Sequence, residues 1–541
     1  MRIPVPFRPL VPVLAVLLAS LAAGCARIDR WGIFQRDLQP RVTGQDSGPI
    51  EGAEPFRPRL AEEPAFALPA EGPASLSVEQ AVLLVLQNNA DLQVRQLNPV
   101  VAGTFETIER GTFDPELFAD VSYREERTSE TAASTGTRFD VEGNETAVLA
   151  GIRQKLPTGT TFEATVGQDR SVSDRTPELQ TARLGISVTQ SLLRGLGPSV
   201  NLVRVRQAEL GVAASAHELR GFTEALLAST EIAYWNFVFA RLEIETFEKS
   251  LAVARQQMKE VELRIEVGIL PEIEAAAARA EVASQEQALI DARSLLEENR
   301  LRLLQRISPG PRGQLDLSVV ATSEPTLRPE PITDLVDRLE LAERSRPDLN
   351  EARLRLAQNR LRTIATRNGI LPRLDLFIAL GQTGFADTFT DSFRELDGNT
   401  YDFTAGVRLS HFLGNRAAEA QDLAARASRR QAADAVINLQ RMVQVDVRLA
   451  FNEVERARQQ IVATRATRTL REETLHAEKE RFDVGLSTAL QVSRAQRDLL
   501  ASSIDEVKAI IHYRIALVRL YLAEGSLLER RGVLLSAGRT G

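Results

Sequence analysis

The residue types that most often do chemistry are few and scattered in this sequence. Its four histidines lie far apart, without the spacing of metal ligands, at His217, His411, His476 and His512. The sequence contains no glycine-rich phosphate loop, no Gly-x-Ser-x-Gly elbow and no Cys-x-x-Cys pair. We therefore expect no enzymatic activity, no bound metal and no cofactor.

Cys25, the only cysteine of the chain, stands where an exported protein is processed. It follows a positively charged start, an apolar stretch over 11–23 and a run of small residues, which is typical of a signal peptide over 1–24. A lone cysteine cannot form an internal disulfide. The site resembles a bacterial lipobox, although Ala22 stands where leucine is usual, and this implies that Cys25 is lipidated. An ordinary cleaved signal is the alternative. Ala26 replaces the aspartate that retains many lipoproteins in the inner membrane, which favours the outer membrane.

Charge and apolar content argue against two classes of protein. The formal net charge is −7 and the pI about 5.6, without a basic block long enough to follow phosphates, so we expect no nucleic-acid partner. After the signal, no run approaches the roughly 18 uncharged apolar residues that indicate a spanning helix. Such a chain would cross a membrane only as strands of a closed barrel. Residues 25–74, rich in proline and glycine, are predicted to form an extended linker.

The sequence repeats itself over a long period, which indicates an internally duplicated fold. Residues 264–268, RIEVG, reappear 217 positions later (481 − 264) as RFDVG at 481–485. Upstream, the Asp-Leu pair at 91–92 matches that at 348–349 with an offset of 257 (348 − 91). A period above 200 excludes short solenoid repeats. The two offsets differ by 40 (257 − 217), so the first half carries extra residues between the two matches.

Long amphipathic patterns predict six helices, two of them far longer than the helices of ordinary globular domains. Ser77 is a plausible N-cap for the first helix, and Pro271 is a suitable first-turn residue for the third. The helices are predicted over about 77–110, 200–267, 271–307, 332–368, 417–484 and 487–523. The fifth carries a coiled-coil seam of small and β-branched residues at Val436, Val443, Val447, Ala450, Val454, Ala457 and Ile461.

Strand patterns occur in two places, each between long helices. Apolar and polar residues alternate over 117–124, 148–152, 162–166 and 184–189 in the first half, and over 374–380 and 401–410 in the second. One apolar and one polar face is typical of a transmembrane β-strand. The same alternation fits a half-buried sheet of a soluble protein. The signal, the linker and the helix lengths favour the membrane.

In their order and duplication, these segments resemble the TolC family of outer-membrane efflux and secretion channels. The resemblance covers about residues 75–524 and rests on 76–81 with 88–92, on 341–349, on 482–487 with 495–496, and on 513–525. It implies an α+β membrane protein that forms a homotrimer, with strands pooled into one β-barrel and long helices forming an α-barrel across the periplasm. Family members have two strands per half. Four in the first half imply either a larger barrel or a hairpin outside its wall.

The resemblance also assigns roles to a few residues. Gly268 and Gly485 correspond to the turns at the periplasmic tips, where the channel closes and where we expect an adaptor to bind. Family members often carry an acidic residue six positions after each turn glycine, which is Glu274 here in the first half but Gln491 in the second. Three copies of Glu274 would form a negatively charged ring, with Arg494 as the nearest counter-charge. The alternative is that Glu274 is an ordinary exposed helix residue.

The sequence thus predicts a lipid-anchored outer-membrane channel, the passive exit duct of a tripartite efflux system with a periplasmic adaptor and an inner-membrane pump. The alternatives are a type I protein-secretion duct and a non-conducting periplasmic coiled-coil scaffold. We expect a signal peptide over 1–24, a lipid-anchored linker over 25–74, a first repeat over 75–310, a linker over 311–331, a second repeat over 332–524 and a tail over 525–541.

Overall fold

The computed structural model describes residues 58–60, 72–131, 133–307, 315–325, 329–397 and 400–535. The predicted signal peptide, Cys25 and most of the 25–74 linker lie outside these residues.

The long helices begin and end close to their predicted positions. In chain order the helices are α1 (Val78–Asn88), α2 (Ala90–Arg95), α3 (Asn98–Gly111), α4 (Pro198–Asn201), α5 (Val203–Glu266), α6 (Ile273–Ile307), α7 (Leu335–Ser345), α8 (Pro347–Gly369), α9 (Phe389–Arg394), α10 (Arg416–Asp483), α11 (Ala489–Glu524) and α12 (Leu527–Arg530). The N-cap predicted at Ser77 is confirmed, because its hydroxyl accepts from Gln80 N and its own N–H donates to Gln80 Oε1.

Two of the predicted helices were wrong as single helices. The first breaks at Asn89, whose side chain accepts from Leu92 N and so starts a new helix, and breaks again before Asn98. The fourth breaks at Arg346, because Pro347 has no N–H to donate and occupies the first turn of α8. The last helix begins after Thr488, whose hydroxyl accepts from Gln491 N, and not at Ser487.

The seam predicted on α10 is confirmed as a buried stripe. Val443 and Val447 are fully buried in a cluster with Ala342 of α7. Further along, the seam packs on α11 in a cluster of Val454, Ala457, Ile461, Ala509, Ile510, Tyr513, Ala516 and Leu520. Burial of each larger aliphatic side chain contributes about 1.5–3 kcal/mol, which is what holds two such long helices together.

The predicted strands form one antiparallel sheet. Its strands are β3 (Glu116–Thr131), β4 (Arg138–Lys155), β5 (Thr160–Ser173), β6 (Leu179–Ser191), β8 (Arg373–Ala386) and β9 (Tyr401–Ser410), paired in that order. All four strands of the first half are therefore continuous with the two of the second. Within the described chain, β3 and β9 each keep one unpaired edge.

The two faces of this sheet differ in polarity, as the alternation predicts. The register aligns one apolar row across all six strands: Leu117, Ile152, Ala164, Ile186, Leu380 and Phe403. The neighbouring row on the opposite face is Phe118, Gly151, Thr165, Gly185, Gly381 and Asp402. On the apolar face Leu117 is 80% exposed and Phe403 is 60% exposed, so this chain itself does not cover them.

The helices lie side by side in a fixed order. Near the sheet, α3 packs on α5, α5 on α8, and α8 on α10. Away from the sheet, α6 packs on α5, α5 on α11, and α11 on α10. One lateral edge of the chain therefore consists of α3, β3 and α6, and the other of β9 and α10.

Two pairs of three-residue strands occur where we predicted linkers or a tail. Strand β2 (Ala74–Leu76) pairs in parallel with β7 (Val319–Ala321), and β1 (Pro58–Leu60) pairs antiparallel with β10 (Val533–Leu535). The fully buried Tyr234 joins the first pair, since its hydroxyl donates to Leu76 O at 2.9 Å and accepts from Ser323 N at 3.0 Å. Three residues are too short for a strand period to be recognised.

Residues 525–535, which we call the C-terminal clasp, close over buried carboxylates midway along α5. Glu224 and Glu231 are each 1% exposed. Arg531 Nε lies 2.7 Å from Glu231 Oε1, and Arg220 Nε lies 3.1 Å from Glu224 Oε1. Burial raises the pKa of Glu224 to about 7, although Arg220 acts in the opposite direction. The clasp thus covers two carboxyl groups that are buried from solvent.

Candidate functional site: the paired helix turns

The two long helices end in the same hydrogen-bonded turn. At the end of α5, Gly268 N donates to Ile265 O at 2.9 Å and Ile269 N donates to Arg264 O at 2.8 Å. At the end of α10, Gly485 N donates to Phe482 O at 3.0 Å and Leu486 N donates to Arg481 O at 2.7 Å. This is the Schellman motif in both copies. The repeated sequence therefore encodes a repeated backbone.

Glycine is required in each turn by the backbone and not by crowding. Gly268 and Gly485 both have φ of +76°, in the left-handed region that disfavours side chains. A Cβ atom built on either glycine would meet no other atom within 4 Å. The turns are therefore open to their surroundings, as a docking surface must be.

The turns of the two repeats contact each other through a charged and aromatic bridge. Arg264 at the end of α5 lies 2.5 Å from the Asp483 carboxylate at the end of α10. The same guanidinium lies 4.9 Å from the centre of the Phe482 ring. Sequence reasoning missed this pair, although Arg264 and Asp483 both belong to the repeated segment.

A small apolar cluster supports the turns from below. Its buried members come from four helices: Val261, Ala278, Leu475, Phe482, Ala489, Val492 and Ala495. Ala278 and Ala495 are equivalent positions of the two repeats, 217 positions apart (495 − 278). Small residues there allow the four helices to approach closely, which fixes the spacing of the two turns.

The predicted gate residues lie within two helical turns of the glycines, but the structure does not join them into one group. Glu274 is half-buried, and its Oε2 accepts from Ala489 N at 3.0 Å, so it caps the start of α11 in the other repeat. Gln491 is exposed, and its Oε1 accepts from Ser487 Oγ at 2.7 Å. Arg494 is exposed and forms no ion pair with Glu274 within the described chain.

The cap made by Glu274 is electrostatically favourable. A carboxylate at a helix N-terminus satisfies a free N–H group and faces the positive end of the helix dipole. It also links the second helix pair to the first at the tip. The sequence contained no local signal for this contact, since its partner lies 215 positions away in the chain.

The surface around the turns is apolar. Among the exposed side chains of the two tips are Val267, Ile269, Ile273, Val484 and Leu486, each 68–77% exposed. A patch of this kind at the end of a helical hairpin is typical of a surface that binds another protein.

Among the described residues, no group of three His, Cys, Asp or Glu side chains could hold a metal ion. In that same part of the chain no helix combines the length and the apolar character needed to cross a membrane.

A family model and several solved structures match this chain. Residues 339–526 match the model described as outer membrane efflux protein. The fold matches the outer-membrane channel OprN with a TM-score of 0.62 at 17% identity, over 83% of this chain and 90% of that chain. It matches the Campylobacter jejuni CmeC outer membrane channel with a TM-score of 0.61 at 17% identity, over 87% and 95%.

A third structure, the open state of the Neisseria gonorrhoeae MtrE outer membrane channel, matches with a TM-score of 0.59 at 18% identity, over 87% of this chain and 97% of that chain. No curated protein matches by sequence. All three of these structures are outer-membrane channels. These findings confirm the predicted resemblance to the TolC-like outer-membrane efflux channels. The second repeat carries an outer membrane efflux protein domain, and the chain as a whole has the fold of the TolC-like outer-membrane efflux channels.

Proposed function

We propose that three copies of this chain form one outer-membrane channel, which is the passive exit duct of a tripartite efflux system. The observation that carries the proposal is the pair of open lateral edges, α3–β3–α6 on one side and β9–α10 on the other. A strand edge left open in lipid leaves backbone groups without partners, at a cost of several kcal/mol each. The edges therefore require a partner.

The two edges complement each other in direction and in polarity. Because six antiparallel strands alternate, β9 of one copy runs antiparallel to β3 of a neighbour in the same orientation. This contact is heterologous and closes as a ring. The same contact would bury exposed apolar side chains of α3 and α10, namely Val101, Phe105, Ile108, Leu423, Ile437, Met442, Val445 and Leu449.

The sheet supports a wall with lipid on one side and water on the other. Its apolar face is exposed in the single chain and would face lipid, while the row with Thr165 and Asp402 would face the duct. The extra hairpin shares the register and the apolar face of the other strands. We therefore place it in the wall, which makes the barrel wider than one with two strands per half.

The tips provide the docking surface for a periplasmic adaptor, which links the duct to an inner-membrane pump. The support is the apolar surface around Gly268 and Gly485 together with the open space above both glycines. The contacts that close the tips within one chain, Arg264–Asp483 and Glu274–Ala489, are few and polar, so a bound adaptor can replace them. In the assembled trimer, three copies each of Glu274, Gln491 and Arg494 would surround the constriction near the tips.

The proposed channel is also anchored to the membrane by a lipid. Lipidation of Cys25 after removal of 1–24 would hold the linker at the membrane. Mass spectrometry of the mature N-terminus should show a diacylated or triacylated cysteine. An unmodified N-terminus at another residue would contradict it, without affecting barrel closure, which depends on the strands.

The channel itself is tested with purified full-length protein in detergent and in planar bilayers. We expect a trimeric mass by light scattering, heat-modifiable migration and stepwise single-channel currents. Val267→Cys in a Cys25→Ser background should crosslink to an adaptor, whereas Leu413→Cys, at the other end of α10, should not. A monomer, or an oligomer without current, would contradict the proposal, and the second result would favour a non-conducting scaffold.

A further inference from the structure

A cavity of about 680 Å³ lies where the sheet meets the helices. We call it the junction cavity and define it by six of its lining residues: Lys155, Thr161, Ser191, Arg194, Arg373 and Ser410. Its strand residues share the polar face of the sheet, because Lys155 is paired with Thr161 and Arg373 with Ser410 in the register. In the proposed channel it would therefore open into the duct.

The charges of the junction cavity are unbalanced. Three cations, Lys155, Arg194 and Arg373, line it, no carboxylate is among its lining residues, and Arg373 is paired with the Asp375 carboxylate behind it. Asp375 is already engaged, since it accepts from Arg373 Nε at 2.6 Å and from Ser191 Oγ at 3.0 Å. Within the described ranges, the side chains of Lys155 and Arg194 have no hydrogen-bond or ion-pair partner. The cavity thus keeps two cations available.

The frame that holds these cations is well fixed. Asn201 Nδ2 donates to Pro157 O, Gly195 O and Gly197 O at 2.7–3.2 Å, and so joins the β4–β5 turn to the loop after β6. From α8, Asn368 Oδ1 accepts from Gly195 N at 2.7 Å, beside Arg194. The loop that carries Arg194 is therefore held from both sides. A pre-formed site loses little entropy when a ligand binds.

We propose that the junction cavity is a binding site for oxyanions, where solutes with phosphate or carboxylate groups pause on their way through the duct. Lys155 and Arg194 supply charge-assisted donors, and the hydroxyls of Thr161 and Ser410 supply neutral ones. The role in transport rests on the proposed channel, but binding itself does not. The site would make anionic solutes the favoured cargo of this chain.

Binding is tested by isothermal titration of the full-length protein in detergent, with tripolyphosphate and citrate as probes and spermine as a cationic comparison. We expect both anions to bind once per chain and spermine not to bind. The Lys155→Gln/Arg194→Gln variant loses two charge-assisted contacts, so its affinity for tripolyphosphate should fall by about tenfold or more. The Lys155→Arg variant keeps the charge and should bind as the wild type does, which also shows that position 155 tolerates change.

Arg124→Gln is the control for loss of positive charge on the same face, because Arg124 lies on the polar face midway along β3 and its replacement removes one of the two charges that the double variant removes. The proposal would be overturned if the wild type bound neither anion, or if the double variant bound them as tightly as the wild type does. It would also be overturned if Arg124→Gln weakened binding as much as the double variant does. In planar bilayers, tripolyphosphate should reduce the wild-type current more than that of the double variant. Anion binding in detergent without any channel current would contradict the proposed function and leave the binding site standing.

Discussion

The helix turns and the C-terminal clasp hold their charges in opposite ways. At the turns, Arg264 and Asp483 pair at the surface, where 29% and 60% of their side chains remain exposed. At the clasp, Glu231 is buried and is paired with Arg531 across 300 positions of sequence. Exposed pairs contribute little, whereas a buried carboxylate is strongly destabilising once its partner is removed.

The difference indicates which part of the long helices is built to move. At the surface the turns are closed by one ion pair and one cap, both of which can be exchanged for contacts with a partner. The clasp ties α5 to the end of α11 through arginine contacts to buried carboxylates, whose loss is costly. Opening of the tips should therefore pivot about the clasp, and substitutions in the two regions should differ in size.

The largest effect is expected for Arg531→Ala. This change leaves the buried Glu231 carboxylate without its partner, and we expect the free energy of unfolding to fall by about 3–5 kcal/mol. Urea denaturation followed by circular dichroism measures it. Arg344→Ala is the control, because Arg344 and its partner Glu340 are 79% and 63% exposed. A similar loss of unfolding free energy in the two variants would show that the buried pair of the clasp is no more important for stability than an exposed pair.

Glu224→Gln should make the clasp less sensitive to pH. Burial raises the pKa of Glu224 to about 7, so the folded state holds a proton that the unfolded chain releases near pH 4.5. This contribution to stability is complete below pH 4.5 and is lost as the pH rises to 7. Glutamine does not titrate, so the stability of the variant relative to the wild type should rise by roughly 3 kcal/mol between pH 5 and 8. Urea midpoints that keep the same difference at both pH values would disprove this.

Replacing either turn glycine by alanine should have a smaller, equal effect. Both Gly268 and Gly485 have φ of +76°, so a Cβ atom costs about 1–2 kcal/mol at each. Thermal or urea unfolding measures the change. Gly103→Ala is the matched control, since this helical glycine also has open space around it and alanine should favour the helix. Unequal effects at 268 and 485 would show that the two turns are not equivalent.

Glu274→Ala should weaken the link between the repeats at the tip. Loss of the cap on Ala489 N costs about 1 kcal/mol, and the first amides of α11 should exchange faster with deuterium. Glu272→Ala removes the same charge from an exposed position two residues earlier and should leave α11 unchanged. If both variants loosen α11 equally, charge near the tip matters and the hydrogen bond does not.

The smallest effect is expected for the Arg264–Asp483 pair. A double-mutant cycle with Arg264→Gln and Asp483→Asn should give a coupling of about 0.2–1 kcal/mol that decreases with salt. A coupling free energy above that range, or one that does not change with salt, would show that the Arg264–Asp483 pair behaves as a buried ion pair like those of the clasp.

The sequence predicted features that depend on a period, and it missed those that depend on distant partners. The seam at Val443 and Val447 and the two faces of the sheet follow from periods of 3.5 and 2, which persist over many residues. The break at Asn89 and the pairing of β1 with β10 involve only a few residues each. The capping role of Glu274 was invisible for a different reason, because only the fold brings it to Ala489.

The extra strands of the first half obey a rule of parity. Each added strand reverses the direction of the chain. One additional strand would therefore start α5 at the opposite end of the sheet, away from the other long helices. Two return the chain to the end at which α3 arrived. The width of such a wall can therefore change during evolution only in steps of one hairpin per chain. Such a step leaves the turns, the clasp and the seams between helices of one chain unchanged. The width of the barrel and the structure of the helix turns can therefore evolve independently.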